Sequence, residues 1–80
     1  MTDIEFIWDE ELDGNVEHLA DNGLTPEDVI HALETVIEFA ISRSSGRSAF
    51  YGYTLDGRFI FVVYEEIAEG TLFVVTAYEV

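Results

Sequence analysis

The chain contains no cysteine and no lysine, and it has only one proline and three arginines among its 80 residues. Without cysteine it can form neither a disulfide framework nor a thiolate metal site. Its longest apolar run, residues 59–64, is far too short to span a bilayer as a helix. The first ten residues have neither the basic nor the apolar region of a signal peptide. We therefore expect a cytoplasmic protein with no membrane contact, no cofactor and no bound metal.

Negative charge dominates the composition. Seventeen acidic residues against three arginines give a formal net charge of −14, and residues 1–42 contain no basic residue except histidine. A field of this sign repels phosphate backbones and attracts cationic partners, so nucleic acid is not an expected ligand. The same charge would also serve solubility in a host with high internal salt, and the sequence leaves both explanations open.

The length predicts one domain, residues 1–80. A domain of this size folds with little margin, so we expect a protein partner, in the first place a second copy of the chain.

The N-terminal half predicts a strand and two helices. The apolar segment 4–8 predicts the strand, and Asp9 is a suitable cap for the helix that follows. Apolar residues at helical spacing predict that helix over 10–21, with Gly14 inside it and Asn22-Gly23 as its C-terminal stop.

The second helix has a complete start signal. Thr25 is the expected N-cap, Pro26 the first helical residue and Asp28 the acid of a capping box. We expect this helix to end near Glu38 and a short strand to follow at 39–41.

The C-terminal half predicts an antiparallel meander of three strands. Asp56-Gly57 is the typical sequence of a two-residue hairpin loop, which would place Tyr53 opposite Ile60 and Tyr51 opposite Val62. A turn at Glu69-Gly70 would return the chain as a strand over 72–79. The fold class is therefore α+β, with two helices against a sheet of three to five strands.

Both faces of this sheet are largely apolar, although two helices can cover only one of them well. The second face is then curled, paired with another copy or a binding surface, and the sequence does not say which face the helices take.

A set of short motifs adds a resemblance. They are Trp8-Asp9, Asn15, His18, Gly23, Pro26-Glu27, Gly46-Arg47, Gly52, Asp56-Gly57-Arg58, Val62-Val63-Tyr64 and Thr76-Ala77. In this order the chain resembles the BrnT family, small toxins of type II toxin–antitoxin pairs with a RelE-like fold. The resemblance implies two N-terminal helices packed on a curled antiparallel sheet, a ribonuclease activity that blocks translation, and an antitoxin partner.

The chain departs from the family pattern at its charged positions. Asp21-Asn22 stands where the family has a basic residue and a histidine, and Tyr78 stands where it has an arginine. Metal-independent RNA cleavage needs cations around the phosphate and a general acid or base. We therefore expect a protein-interaction module with degraded catalytic residues. The alternatives are a working ribonuclease toxin and an acidic decoy for a cationic protein surface.

The candidate catalytic residues, if the chain is a ribonuclease, are Arg43, Arg47, Arg58 and His18. Arg47 and Arg58 are expected on one sheet face, where they could bind an anion with help from the loop amides. The other interpretation is that the arginines pair with nearby acids such as Glu65, Glu66 and Glu79. His18 is expected on the polar side of the first helix, and neither it nor His31 has the spacing of a metal motif.

Overall fold

The computed structural model describes residues 4–80, which form an α+β fold of two helices and one five-stranded sheet. No helix within this range is long and apolar enough to cross a membrane. The elements are β1 (Glu5–Ile7), α1 (Asn15–Asp21), α2 (Pro26–Glu34), β2 (Glu38–Ile41), β3 (Ser48–Tyr53), β4 (Phe59–Ala68) and β5 (Thr71–Glu79).

The sheet has the strand order β1-β5-β4-β3-β2. Strands β2 to β5 are antiparallel neighbours, which confirms the predicted meander and the predicted short strand before it. Strand β1 pairs parallel to β5, so the sheet is mixed and not wholly antiparallel. This pairing joins the first and last strands of the chain. It depends on the path of the chain through the helices, so it cannot be predicted from neighbouring residues alone.

Helix α1 begins at Asn15, later than predicted, and Gly14 is its N-cap and not an interior residue. The backbone carbonyl of Asp9 accepts a hydrogen bond from the Val16 amide at 3.2 Å, so the chain folds tightly onto the helix start. A Cβ atom on Gly14 would lie only 2.4 Å from that carbonyl oxygen. The absence of a side chain at Gly14 therefore allows the backbone of Asp9 to approach the helix start closely.

The end of α1 and the start of α2 are as predicted. Gly23 has a positive φ of 75°, and the Leu24 amide donates to the Leu19 carbonyl at 2.8 Å, as in a Schellman motif. Thr25 caps α2, and it forms both bonds of the capping box with Asp28.

Helix α2 ends at Glu34, not near residue 38. The hydroxyl of Thr35 donates to the His31 carbonyl at 3.0 Å and accepts from the Tyr53 amide at 3.0 Å. Since one side chain bonds both the last helical turn and the end of β3, the chain leaves the helix here and enters β2.

The β3–β4 hairpin has a different register from the predicted one. Tyr53 lies opposite Phe59 and Tyr51 opposite Phe61. The Thr54 amide donates to the Arg58 carbonyl at 2.9 Å, which closes a three-residue turn with Gly57 at a φ of 87°. Such a turn needs only one residue with positive φ, whereas the predicted two-residue turn needs two.

The main core lies between the helices and one face of the sheet, the helix-covered face. Helix α2 approaches β3 so closely that a Cβ on Gly52 would lie 2.0 Å from the Ala32 carbonyl oxygen. The buried residues of this core are Leu19, Leu24, Val29, Ala32, Phe50, Ile60, Val62, Val74 and Ala77.

Helix α1 covers the part of β5 that β1 does not reach. The side-chain amide of Asn15 donates to the Ile7 carbonyl at 2.8 Å and to the Val74 carbonyl at 3.1 Å. The side-chain amide of Asn22 donates to the Ala77 carbonyl at 2.8 Å. These amides take the place of a neighbouring strand along the edge of β5.

Candidate functional site

The second sheet face, here the open face, carries a connected cluster of aromatic rings. Tyr51 stacks on Phe59 with ring centroids 5.5 Å apart and meets Phe61 at 4.6 Å. Tyr53 lies 5.0 Å from Phe59, and Tyr78 lies 5.7 Å from Phe61. We call these five residues the aromatic cluster. They come from β3, β4 and β5, so the observed hairpin register is what brings them together.

Neither helix contributes to the packing on the open face. Its buried residues are Ala49, Phe61 and Val63, with Ala40, Tyr51 and Val75 packed against them, and all belong to strands. Phe61 is only 7% exposed at the centre of the cluster, whereas Tyr53 and Tyr78 are exposed. The rim rings therefore offer apolar surface to a binding partner around a rigid centre.

Grooves border the aromatic cluster on the side of β2, and Glu38 and Tyr51 line two of them. The larger, of about 490 Å³, extends to Tyr78 and to the 42–44 turn, including Arg43. The smaller, of about 280 Å³, is closed by Ile37 and Phe59. A carboxylate between aromatic rings suits the side chain of a lysine or arginine, which gains both charge and cation–π contacts.

Arg58 is a structural residue that ties the β3–β4 turn to the helices. Its guanidinium donates to the Gly23 carbonyl at 3.0 Å and lies 3.5 Å from the Asp28 carboxylate. Its Nε also donates to Asp56 at 3.1 Å. Hydrogen bonds from Thr54 and then Arg58 lower the pKa of Asp56, and Asp56 in turn raises the pKa of Arg58.

Arg47 and Arg43 flank the polar turn between β2 and β3. Arg47 forms an exposed ion pair with Glu65, as one of the two sequence interpretations predicted. Arg58 pairs with Asp56 and Asp28, so Arg47 and Arg58 do not form the joint anion site of the other interpretation. No ion pair within residues 4–80 includes Arg43, which is exposed on the larger groove.

The two histidines lie on different helices, His18 on α1 and His31 on α2. His18 is exposed on α1, beside a small groove of about 190 Å³ that shares no lining residue with the groove at Arg43. His31 Nδ1 lies 2.8 Å from the Tyr53 carbonyl oxygen. Over residues 4–80, no three histidine, aspartate or glutamate side chains converge as a metal site would require. The four candidate catalytic residues are therefore not assembled into one site.

Glu38 was missed as a site residue by the sequence analysis. It had been assigned to the end of α2, whereas it opens β2 and faces the aromatic cluster. The available signal was the short apolar run 39–41, which the sequence analysis assigns to a strand that begins one residue too late.

Comparison with protein-family models, curated proteins and solved structures finds no match to this chain. The functional argument therefore rests on the site itself.

Proposed function

We propose that this domain is a protein-interaction module that binds a positively charged protein partner through its open face. The aromatic cluster carries the proposal. It is a connected apolar surface that no helix covers, and it lies on a molecule whose formal net charge is −14. Aromatic rings at the centre of a patch, with charge around them, are typical of protein interfaces.

Charge decides the kind of partner. Glu38 lies between the two grooves and faces rings that favour cationic side chains. The wider field of the molecule would attract a basic protein and speed its association. We infer a partner with arginine or lysine side chains at its contact surface.

The resemblance to BrnT toxins supplies a candidate for that partner, namely the antitoxin-like product of an adjacent gene. In this proposal the RelE-like arrangement is retained while the catalytic charge is lost. Tyr78, which stands where the family has an arginine, is part of the aromatic cluster, and Asn22 donates to the edge of β5. In this proposal Tyr78 contributes to aromatic packing and Asn22 to a structural hydrogen bond, and neither residue takes part in catalysis.

A ribonuclease toxin is the second candidate, and Arg43 is the observation that favours it. This arginine is exposed on the larger groove, where it could meet a phosphate. Arg47 and Arg58 are held by carboxylates, however, and His18 lies on another groove. One unpaired cation is a poor match for the charge that phosphate cleavage requires.

The acidic-decoy function has less support. Helix α2 exposes Glu27 and Glu34 on one side, but the exposed Ile30 lies between them. The exposed acids of α2 therefore do not form the continuous row that a phosphate mimic needs.

Co-purification tests the interaction module. The tagged full chain is co-expressed with the untagged product of the neighbouring reading frame, as wild type and as Tyr53→Ser/Tyr78→Ser. The matched control is Leu55→Ser, which removes an exposed apolar side chain from the turn outside the aromatic cluster. We expect a basic protein to co-purify with wild type and control but not with the tyrosine variant.

Two results would overturn this proposal. Equal capture by the tyrosine variant would show that the open face is not the interface. RNA cleavage by purified wild type, lost in Arg43→Ala, would establish the ribonuclease instead.

A further inference from the structure

Strand β2 is one outer edge of the sheet, and the three-residue strand β1 is the other. The β5 edge is covered by the short strand β1 and by the side chains of Asn15 and Asn22. On β2, Phe39 is 60% and Ile41 63% exposed. The strand has no lysine, no proline and, within residues 4–80, no paired neighbour on its outer side. An edge of this kind readily pairs with another strand.

The hydrogen-bond pattern identifies which backbone groups of β2 are free. The Ser42 amide donates to the Arg47 carbonyl at 2.8 Å, so Ser42 points its backbone groups towards β3. Because this direction alternates along an antiparallel strand, Ala40 and Glu38 also point inward. Phe39 and Ile41 therefore direct their amide and carbonyl groups away from the sheet.

From this geometry we infer that β2 pairs antiparallel with β2 of a second copy, with Phe39 opposite the partner's Ile41 and Ala40 on the two-fold axis. This register uses every outward amide and carbonyl of β2 and forms about four backbone hydrogen bonds. The small Ala40 suits the axis, where Cα atoms of a non-hydrogen-bonded pair approach to about 4.5 Å. The interaction goes beyond the proposed function, since its backbone bonds form along the sheet edge, although Glu38 and Arg43 also line the larger groove of the open face.

Side chains on both faces of β2 agree with this register. On the helix-covered side, each Phe39 would pack on the partner's Ile41, an aromatic and β-branched pair that stabilises sheets. On the other side, Glu38 would lie opposite the partner's Ser42 and next to the partner's Arg43. Within one chain, Glu38 begins β2 and Arg43 lies two residues beyond its end, and the two form no ion pair. In the dimer, Glu38 of each copy lies next to Arg43 of the other copy, so the two-fold axis creates two such pairs.

Net charge opposes the association and sets the conditions of the test. Two copies of formal charge −14 repel each other, and an ionic strength of about 0.15 M reduces this repulsion because its Debye length is about 8 Å. Contact pairs such as Glu38 with the partner's Arg43 are screened less. Sedimentation equilibrium of the full chain at this salt concentration measures the dimer constant.

A charge exchange tests the register. Glu38→Arg and Arg43→Glu should each weaken the dimer by about tenfold, because symmetry applies each change twice. The double variant should restore the wild-type dimer constant. A dimer that does not respond to the single changes, or that the double variant fails to restore, overturns this register.

A proline tests the backbone pairing. Ile41→Pro removes an outward amide that β3 does not use, so the monomer should keep its circular dichroism spectrum while the dimer is lost. Leu55→Ser controls for the loss of an exposed apolar side chain and should leave the dimer unchanged. A wild type that remains a monomer up to millimolar concentration, or a dimer that survives Ile41→Pro in a folded chain, overturns the proposal.

Discussion

The guanidinium of Arg58 donates to the backbone carbonyl of Gly23, which joins the β3–β4 turn to the connection between the two helices. Gly23 has a positive φ and ends α1, so this carbonyl belongs to a turn whose shape is already fixed. The contact links two parts of the chain that are far apart in sequence, and it accounts for an arginine that a functional interpretation would place in a catalytic site.

Arg58→Ala should lower the free energy of unfolding more than Arg47→Ala does. Arg58 bonds a backbone carbonyl and two carboxylates, whereas Arg47 has one exposed ion pair, and such exposed pairs stabilise little. Urea denaturation of both variants measures the difference. If Arg47→Ala proves the more damaging, the structural role assigned to Arg58 is wrong.

Asp56 should contribute to acid sensitivity. Its folded-state pKa is lowered by Thr54 and Arg58, so its ionised form stabilises the fold above about pH 4, and this contribution is lost as the pH falls through the folded pKa. Asp56→Asn should therefore be less stable than wild type at neutral pH, and the difference should shrink on acidification. Thermal unfolding from neutral to strongly acidic pH tests this, and a constant difference would contradict it.

Gly52→Ala should destabilise the fold by about 1–3 kcal/mol, because the added Cβ would clash with the backbone of Ala32 and force α2 away from β3. Gly46→Ala is the matched control. Gly46 has open space around its Cβ position and only a positive φ of 72°, so this change should cost about 1 kcal/mol. Chemical denaturation gives both values, and equal losses would argue against a close contact at Gly52.

Asn15→Ala should cost about 2–3 kcal/mol of stability, because Asn15 is buried and its amide satisfies two carbonyls that would otherwise be unpaired. Asn22→Ala removes a single, partly buried hydrogen bond and should cost about 1 kcal/mol. Amide hydrogen exchange would localise the effect, with faster exchange expected in β1 and β5. Unchanged exchange there would contradict the edge-covering role.

Features set by local chemistry were predictable from the sequence. The Thr25 and Asp28 capping box, the stop at Gly23 and the turn at Glu69-Gly70 each depend on a few adjacent residues, and all three are found. Helix ends that depend on distant partners were not predictable. Helix α2 ends early because Thr35 bonds Tyr53, a residue far along the chain.

The hairpin register shows how one local choice changes the candidate site. Asp56-Gly57 allows a two-residue or a three-residue turn, and the bonds of Thr54 to Arg58 select the longer one. Since side chains alternate between faces, a shift of one residue moved Phe59 and Phe61 onto the face of Tyr51. The aromatic cluster was therefore invisible in the predicted register, although all of its residues had been assigned to strands.

The coverage of the β5 edge by α1 limits how far the sheet can grow. A sheet with two long bare edges could add copies at both ends and form a fibre, whereas here the edge opposite β2 is the three-residue strand β1, and Asn15 and Asn22 occupy the part of β5 beyond it. Pairing of β2 with a second β2 consumes the edge of both molecules at once. Further strand addition would have to use the three residues of β1, because the two asparagines occupy the rest of the β5 edge, and they thereby restrict polymerisation of a chain rich in exposed apolar strand residues.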